Sequence, residues 1–378
     1  MRTREGALAM RESRVAQDPG GLATRRSVRL GALAALLVTL PATPFARAEL
    51  TLPPGFTAEV YVTGQGFEAG GERGARGIPA TSTVAVDLTG ALHLARTGAR
   101  FRSGDVEDLT TLYRIPPGGG RLTPETESRY LYGPPLKNPQ VGGVGPGGEL
   151  YVTTYDGDRK LGALYRVRDG RAQLFAGGTP PPGAPPLLRH PEGVAVDMAG
   201  RVYVADREQG AVLRFEPDGR LLDPRFATVT RARMLAFDET GRLWIAGDGT
   251  AETPFQTGAG QIWRVAPDGT ATLVVEGPLA AGMGLSPAGT MFVAQRRTGQ
   301  VFALTAEGRR IDFAKTAEGT FLRSLVFAPV SQGTRRAGIA GDLLVIAIPR
   351  QIWAINEVIR ISGPFDEWMR REVEKPGP

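Results

Sequence analysis

Apolar residues recur at every second position in short runs along this chain, and Gly, Asp and Pro punctuate the runs. The clearest stretch is His190–Arg220. Alternating runs at Val194–Val196, Val202–Ala205 and Val212–Phe215 are separated there by Asp-Met-Ala-Gly at 197–200 and Pro-Asp-Gly at 217–219. Side chains alternate faces along a strand, so short period-two runs with such turns predict antiparallel strands in an up-down-up sheet. The unit recurs upstream at Val84–Gly90 with Ala91–Arg96, and at Val144–Gly148 with Glu149–Thr154. It recurs downstream at Leu235–Gly241 with Arg242–Gly247, and at Leu285–Gly289 with Thr290–Gln295. A looser copy is Val326–Ala328 with Asp342–Ala347. Asp87, Pro146, Asp197, Asp238, Pro287 and Pro329 mark equivalent turns, 41 to 59 positions apart. Repeats of about 40–50 residues with several strands each predict a propeller. Six copies predict an all-β, six-bladed β-propeller of four-stranded antiparallel blades over 49–361. The strand expected at Phe56–Thr63 is placed to complete the last blade and close the ring.

Two segments fall outside the pattern. Pro364–Val373, within the tail 362–378, sets Phe365, Trp368 and Met369 on one helical face at i, i+3, i+4. This predicts a short helix docked on the outside of the ring. Residues 1–48 read as a signal peptide: a basic segment, Thr24-Arg25-Arg26-Ser27-Val28-Arg29-Leu30, an apolar run at Leu30–Leu40, then Ala46-Arg47-Ala48 as a cleavage site. The paired arginines resemble a twin-arginine signal, with a general secretory signal as the alternative. Both place the protein in the periplasm or outside the cell, and Met10 is a second candidate start. The apolar run falls short of the roughly 20 residues of a spanning helix, so no stable membrane anchor is expected after cleavage. Without cysteine there is neither a lipid-modified cysteine nor a disulfide.

The leader changes the charge balance. It holds eight of the 45 basic residues and three of the 39 acidic ones, which leaves 37 against 36 beyond it. The high overall pI therefore belongs largely to the leader. With no basic run interleaved with aromatics, nucleic acid is not an expected partner.

Candidate chemistry lies where the repeat is broken. His93 fills the slot of Tyr151, Tyr203, Trp244 and Phe292, and Arg114, Arg166, Arg214 and Arg264 share another, so both sets read as structural. In a propeller the first strand of each blade lines the central channel. Aligning the copies places Ser82, Val141, Glu192, Arg233, Gly282 and Ser324 at the entries of those strands. Asn138, His190, Arg231 and Arg323 come one turn earlier. Arg96, Thr154, Asp206, Gly247 and Gln295 stand at the exits of the second strands, with Asp156 and Asp248 just beyond. These converge on one mouth, beside insertions at Arg96–Asp108 and Asp248–Gly260. Glu192 leads the set. With Asn138, Asp206 and Asp248 it can supply oxygen ligands to a divalent cation such as calcium. With His190 it can act as a general base. It can equally pair with Arg233 and close the channel electrostatically. Arg233, Arg323, Arg96 and Asp206 are the candidate ligand contacts.

Pro191-Glu-Gly-Val-Ala-Val-Asp197, followed by Gly200-Arg-Val-Tyr-Val-Ala-Asp206, resembles an NHL repeat. Over about 50–356 the arrangement is similar to the wider group of SMP-30/gluconolactonase-like proteins. That resemblance implies a divalent ion in the channel, held by Glu, Asn and Asp, and opening of a sugar lactone. The chain departs from it: Ser82-Thr83 stands where Glu-Gly-Pro is expected, and no blade begins with Asn-Gly. Leu52-Pro-Pro-Gly-Phe56 and Gly341-Asp-Leu-Leu-Val345 resemble stretches of quinone-dependent sugar dehydrogenases, for which His190 would be the channel base. Three readings stay open: a propeller binding a small polar ligand or peptide, a metal-dependent lactone hydrolase, and a quinone-dependent sugar dehydrogenase.

Overall fold

The computed structural model describes residues 50–69, 72–73, 76–79, 81–96, 109–251, 258–277, 279–349 and 355–375. The leader, most of the first insertion and the middle of the second lie outside these residues. Six sheets follow one another around a ring. Blade one is Thr81–Val86, Leu92–Arg96, Leu109–Ile115 and Leu131–Lys137. Blade two is Gln140–Val144, Leu150–Asp156, Leu161–Arg168 and Arg171–Gly177. Blade three is Pro191–Val196, Val202–Asp206, Ala211–Phe215 and Leu221–Thr228. Blade four is Ala232–Phe237, Leu243–Gly247, Gly260–Val265 and Ala271–Gly277. Blade five is Ala280–Leu285, Met291–Gln295, Gln300–Leu304 and Arg310–Thr316, with Leu50–Thr51 added at its edge.

Blade six is built from both ends of the propeller. Phe321–Phe327, Leu343–Ile348 and Ile355–Ser362 are joined by Thr57–Gly64, which pairs antiparallel with Ile355–Ser362. The outer edge of Thr57–Gly64 is covered in turn by Gly120–Leu122, which runs parallel to it. The pairing covers the Val62–Gly64 end of that edge and shortens the row of free backbone groups open to another chain.

The apolar faces meet between blades. Buried side chains collect into six clusters, each shared by two successive blades around the ring. The sheets twist about the central axis, so the innermost strands approach most closely. A side chain on Gly193 would place its Cβ 2.3 Å from Arg233 O, so only glycine lets the first strands of blades three and four pack.

The repeated turn aspartates explain the second-strand slot. Asp197 Oδ1 accepts from Ala199 N and Arg201 N, both at 2.9 Å, and Oδ2 accepts from Tyr203 OH at 3.2 Å. Asp238 repeats this with Thr240 N, Arg242 N and Trp244 Nε1, each at 3.0 Å. Asp87 meets His93 Nε2 at 3.0 Å in the same way. Each carboxylate closes the turn and holds the polar end of a buried ring. His93 is thus the blade-one version of a recurring clamp. The recurring arginines cover ring faces: Arg214 lies 4.6 Å from the Phe226 ring centroid and Arg264 5.8 Å from that of Trp244.

The C-terminal helix spans Phe365–Glu374, one residue later than expected, with Phe365, Trp368 and Met369 buried. Its position differs from the sequence expectation. It seats beneath blades five and six, at the strand ends opposite the mouth, where Asp366 accepts from Ser286 at 2.6 Å and Phe365 packs on Phe327. A large apolar face needs a core to fill, and the gap among Phe56, Phe292 and Phe313 supplies one. The connection between the first two strands of blade six contains a short helix, Gln332–Arg336, capped reciprocally by Ser331 and Thr334. Among the described residues no helix is long and apolar enough to cross a membrane.

Candidate functional site

Each first strand carries a β-bulge at the same end. The register shifts lie between Thr81 and Val84, Val141 and Gly143, Pro191 and Val194, Ala232 and Met234, Ala280 and Gly282, and Leu322 and Ser324. A bulge bends its strand and re-aims the extra side chain, which here happens once per blade at one rim. The bulged positions include Ser82, Gly142, Glu192, Arg233, Ala281 and Arg323. This corrects the strand alignment read from sequence. Arg323 does not precede the entry by a turn; it occupies the position held by Glu192 and Arg233 in blades three and four. The extra residue cannot be placed by periodicity, because it interrupts the period.

Glu192 and Arg233 belong to a closed square of charge between blades three and four. Arg233 Nε donates to Glu192 Oε2 at 2.7 Å, and Arg233 Nη1 to Asp248 Oδ1 at 3.3 Å. Arg207 Nε reaches Asp248 Oδ2 at 3.2 Å and Glu192 Oε1 at 3.8 Å. Glu192 and Asp248 keep only 8% and 3% of their side-chain surface exposed. Burial by itself would raise the Glu192 carboxyl, but Arg233, then His190 and Arg207, overcome it and hold its pKa below the usual carboxylate range. Burial also works against the Arg233 cation, and the attraction of Glu192 and Asp248 raises its pKa all the same.

His190 stacks flat on Tyr155, with ring centroids 3.8 Å apart, and its Nε2 lies 3.4 Å from Glu192 Oε1. Burial, helped by Arg207 and Arg233, lowers its pKa below 6.5 against the pull of Glu192 and Asp206. The imidazole is therefore neutral at pH 7. The unfolded chain takes up this proton near pH 6.5, whereas the folded chain resists it until lower pH. Stability then rises with pH through that window and falls on acidification. His190→Gln should flatten this part of a plot of Tm against pH below the ordinary value of 6.5. An unchanged slope would show that His190 does not contribute to it.

The other sequence candidates have different surroundings. Asp206, fully buried, accepts from Arg189 N, His190 N and Gln209 N at 2.6, 3.2 and 3.1 Å, and so clamps the backbone that leads into blade three. Asn138 donates to Tyr155 O at 3.1 Å from a left-handed backbone with φ 43°. Arg96 turns toward the blade edge, where Nη1 pairs with Glu127 at 3.0 Å over the Tyr113 ring. The structure thus joins Glu192, His190, Arg233 and Asp248 and keeps Asn138, Asp206 and Arg96 apart from their carboxylates. Sequence reasoning missed Arg207 and Tyr155. Arg207 could have been found, since it follows the exit of its second strand as Asp248 does one blade later.

The four residues considered as metal ligands do not fit a divalent cation. Arginines occupy both carboxylates of the square, Asp206 accepts from backbone amides, and Asn138 is anchored through Nδ2 on Tyr155 O, away from the square. Among the described residues no group of three or more Asp, Glu or His side chains is placed to hold a metal.

Arg323 is the remaining charge. It is partly buried, and among the described residues its guanidinium meets no hydrogen-bond acceptor or carboxylate. Burial, then the repulsion of Arg233, pulls its pKa down to about 10, with Glu192 acting the other way. At pH 7 it is still a cation. The square is balanced, two carboxylates against two guanidiniums, and neither of its carboxylates is left over to pair with Arg323.

Residues 188–215 match the family model of the NHL repeat, the stretch where the sequence pattern is clearest. A comparison with curated proteins found no match. Among solved structures the chain is similar to a gluconolactonase from Xanthomonas campestris, with 15% identity over 76% of this chain and 87% of that one and a TM-score of 0.53. It is also similar to the PQQ-bound form of aldose sugar dehydrogenase from Streptomyces coelicolor, with 14% identity over 82% and 99% and a TM-score of 0.54. At these identities the likeness is one of fold.

Proposed function

We propose that this propeller is an exported binding protein that takes a small polar ligand at the bulged end of its ring. The observation that carries the reading is the unpaired Arg323 guanidinium, presented beside a charge square that is already satisfied. Groups that are locked to one another give a rigid frame. A group left without a protein partner is available to a ligand. Neither a lactone hydrolase nor a quinone-dependent sugar dehydrogenase draws comparable support from the residues. Glu192 and Asp248 are held by arginines, and His190 is stacked on Tyr155 beside Glu192.

A thermal-shift screen of sugars, sugar lactones, small organic acids and short peptides tests the reading. Hits are then followed by calorimetry and by hydrogen exchange. One-to-one binding, with new protection of the amides at 190–192, 231–233 and 321–324, is the expected result. Hits that protect other parts of the ring, or a panel without hits, would overturn it.

A further inference from the structure

Building on this reading of the bulged end as a ligand site, we propose that its ligand is an anion, with a carboxylate or phosphate group seated on Arg323 at the junction of blades six and one. Three observations converge there. The first is Arg323 itself, whose guanidinium offers a planar fork of donors suited to two parallel bonds with an oxyanion. No carboxylate or carbonyl among the described residues uses that fork.

The second is a pair of orphan hydroxyls in the adjoining blade. Thr81 and Ser82 are 0% and 4% exposed, and among the described residues neither hydroxyl oxygen has a hydrogen-bond partner. Ser82 holds in blade one the bulged position that Arg323 holds in blade six, and the two first strands are neighbours around the ring. Buried polar atoms are nearly always satisfied, so two such atoms on the strand that packs against the strand of Arg323 call for a bound partner. The backbone at this junction is fixed: Asn356 Nδ2 donates to Thr81 O and Asn356 Oδ1 accepts from Thr81 N, both at 3.3 Å. The hydroxyls are thereby held in place before any ligand arrives.

The third is the charge balance. A cation would meet Arg323 and find Glu192 and Asp248 already saturated. A neutral polyol would find no free carboxylate to accept from its hydroxyls. An anion gains the attraction of Arg323, which the square does not neutralise, in surroundings where partial burial strengthens it. The Arg233–Glu192–Asp248–Arg207 square contributes no contact of its own. It holds the opposite wall and keeps Arg233 from turning toward the ligand.

The experiment compares three molecules with one skeleton, glycerol, glycerate and glycerol 3-phosphate, together with inorganic phosphate, by calorimetry at low and high salt. Glycerate or glycerol 3-phosphate should bind at least tenfold more tightly than glycerol, and salt should weaken the binding. The preferred member of that pair identifies the carboxylate or the phosphate as the recognised group, and inorganic phosphate shows whether the group alone suffices. Arg323→Gln should abolish the anion preference, Arg323→Lys should keep part of it, and Ser82→Ala should weaken it a few-fold. Removing an unpaired, partly buried cation should leave the Tm of Arg323→Gln equal to or above that of the wild type, so loss of binding is separable from loss of fold. The proposal is overturned if the anions bind no better than glycerol, or if Arg323→Gln binds them as the wild type does. A neutral ligand bound at 190–192 and 321–324 with no anion preference would overturn the anion assignment and leave the binding site standing. No binding at this end by any molecule would overturn both.

Discussion

A chain that begins at Gln65 should lose cooperative unfolding and aggregate, while one that begins at Glu49 folds. The missing segment is the fourth strand of blade six, Thr57–Gly64. It buries Val62 completely and leaves Phe56 and Tyr61 only 9% and 7% exposed. Each such side chain contributes about 1.5–3 kcal/mol, so the three together contribute about 6 kcal/mol. The antiparallel register with Ile355–Ser362 adds several backbone hydrogen bonds at about 1 kcal/mol each. The sum, on the order of 10 kcal/mol, is as large as the whole stability of a typical domain. The loss also exposes Val358, Ile359 and Ile361 along a long open edge, which favours association between chains. Circular dichroism melts and size-exclusion chromatography measure the outcome. Adding a peptide of residues 50–64 should recover part of the folded population. A truncated chain that melts cooperatively within a few degrees of its parent would show that the ring does not depend on this closure.

Glu192→Gln should lower the Tm by about 4 °C and leave it insensitive to EDTA. Glutamine keeps the shape and removes the charge, so Arg233 stays buried with Asp248 as its one remaining carboxylate. Breaking a buried pair from one side costs about 3–5 kcal/mol, and the surviving Asp248 contact points to the lower figure. For about 330 residues the unfolding entropy is about 0.7 kcal/mol/K, which converts 3 kcal/mol into about 4 °C. Replacing both partners, as Glu192→Leu with Arg233→Met, should recover most of the loss, because the desolvation of both charges disappears with them. The wild-type contribution has a pH signature as well. The folded pKa of Glu192 lies below its ordinary value of 4.5, so the stabilisation is present above that value and is lost as pH falls through the folded pKa. A Glu192→Gln protein within 1 °C of the wild type would show that the square carries little energy. A Tm that falls on adding EDTA to the wild type would return the carboxylates to metal binding.

Part of the site was legible in the sequence. Glu192, Arg233, His190 and Asp248 all break the repeat, and a residue that departs from its slot in a propeller is visible without coordinates. The pairing of Glu192 with Arg233 was one of the alternatives that the sequence left open. The sequence could not show that Asp206 is consumed by backbone amides, or that Arg96 turns outward to Glu127. Both residues occupy strand exits, and the direction a side chain takes there depends on which donors and acceptors the neighbouring loop presents.

Periodicity settled the fold because strand alternation, turn aspartates and repeat spacing are local properties that each blade states independently. Six copies of the same statement leave little freedom in the architecture, and even the closing strand Thr57–Gly64 is recognisable as an alternating run far from the last blade. The placement of Arg323 was decided only in three dimensions. One bulged residue shifts it from the approach of a strand to the position that Ser82 holds in blade one, and a residue that interrupts the period cannot be placed by the period. The seat of the C-terminal helix was decided the same way. Its apolar face can be read from Phe365, Trp368 and Met369, but the surface it covers, between Phe292, Phe313 and Phe56, exists only once blades five and six have assembled.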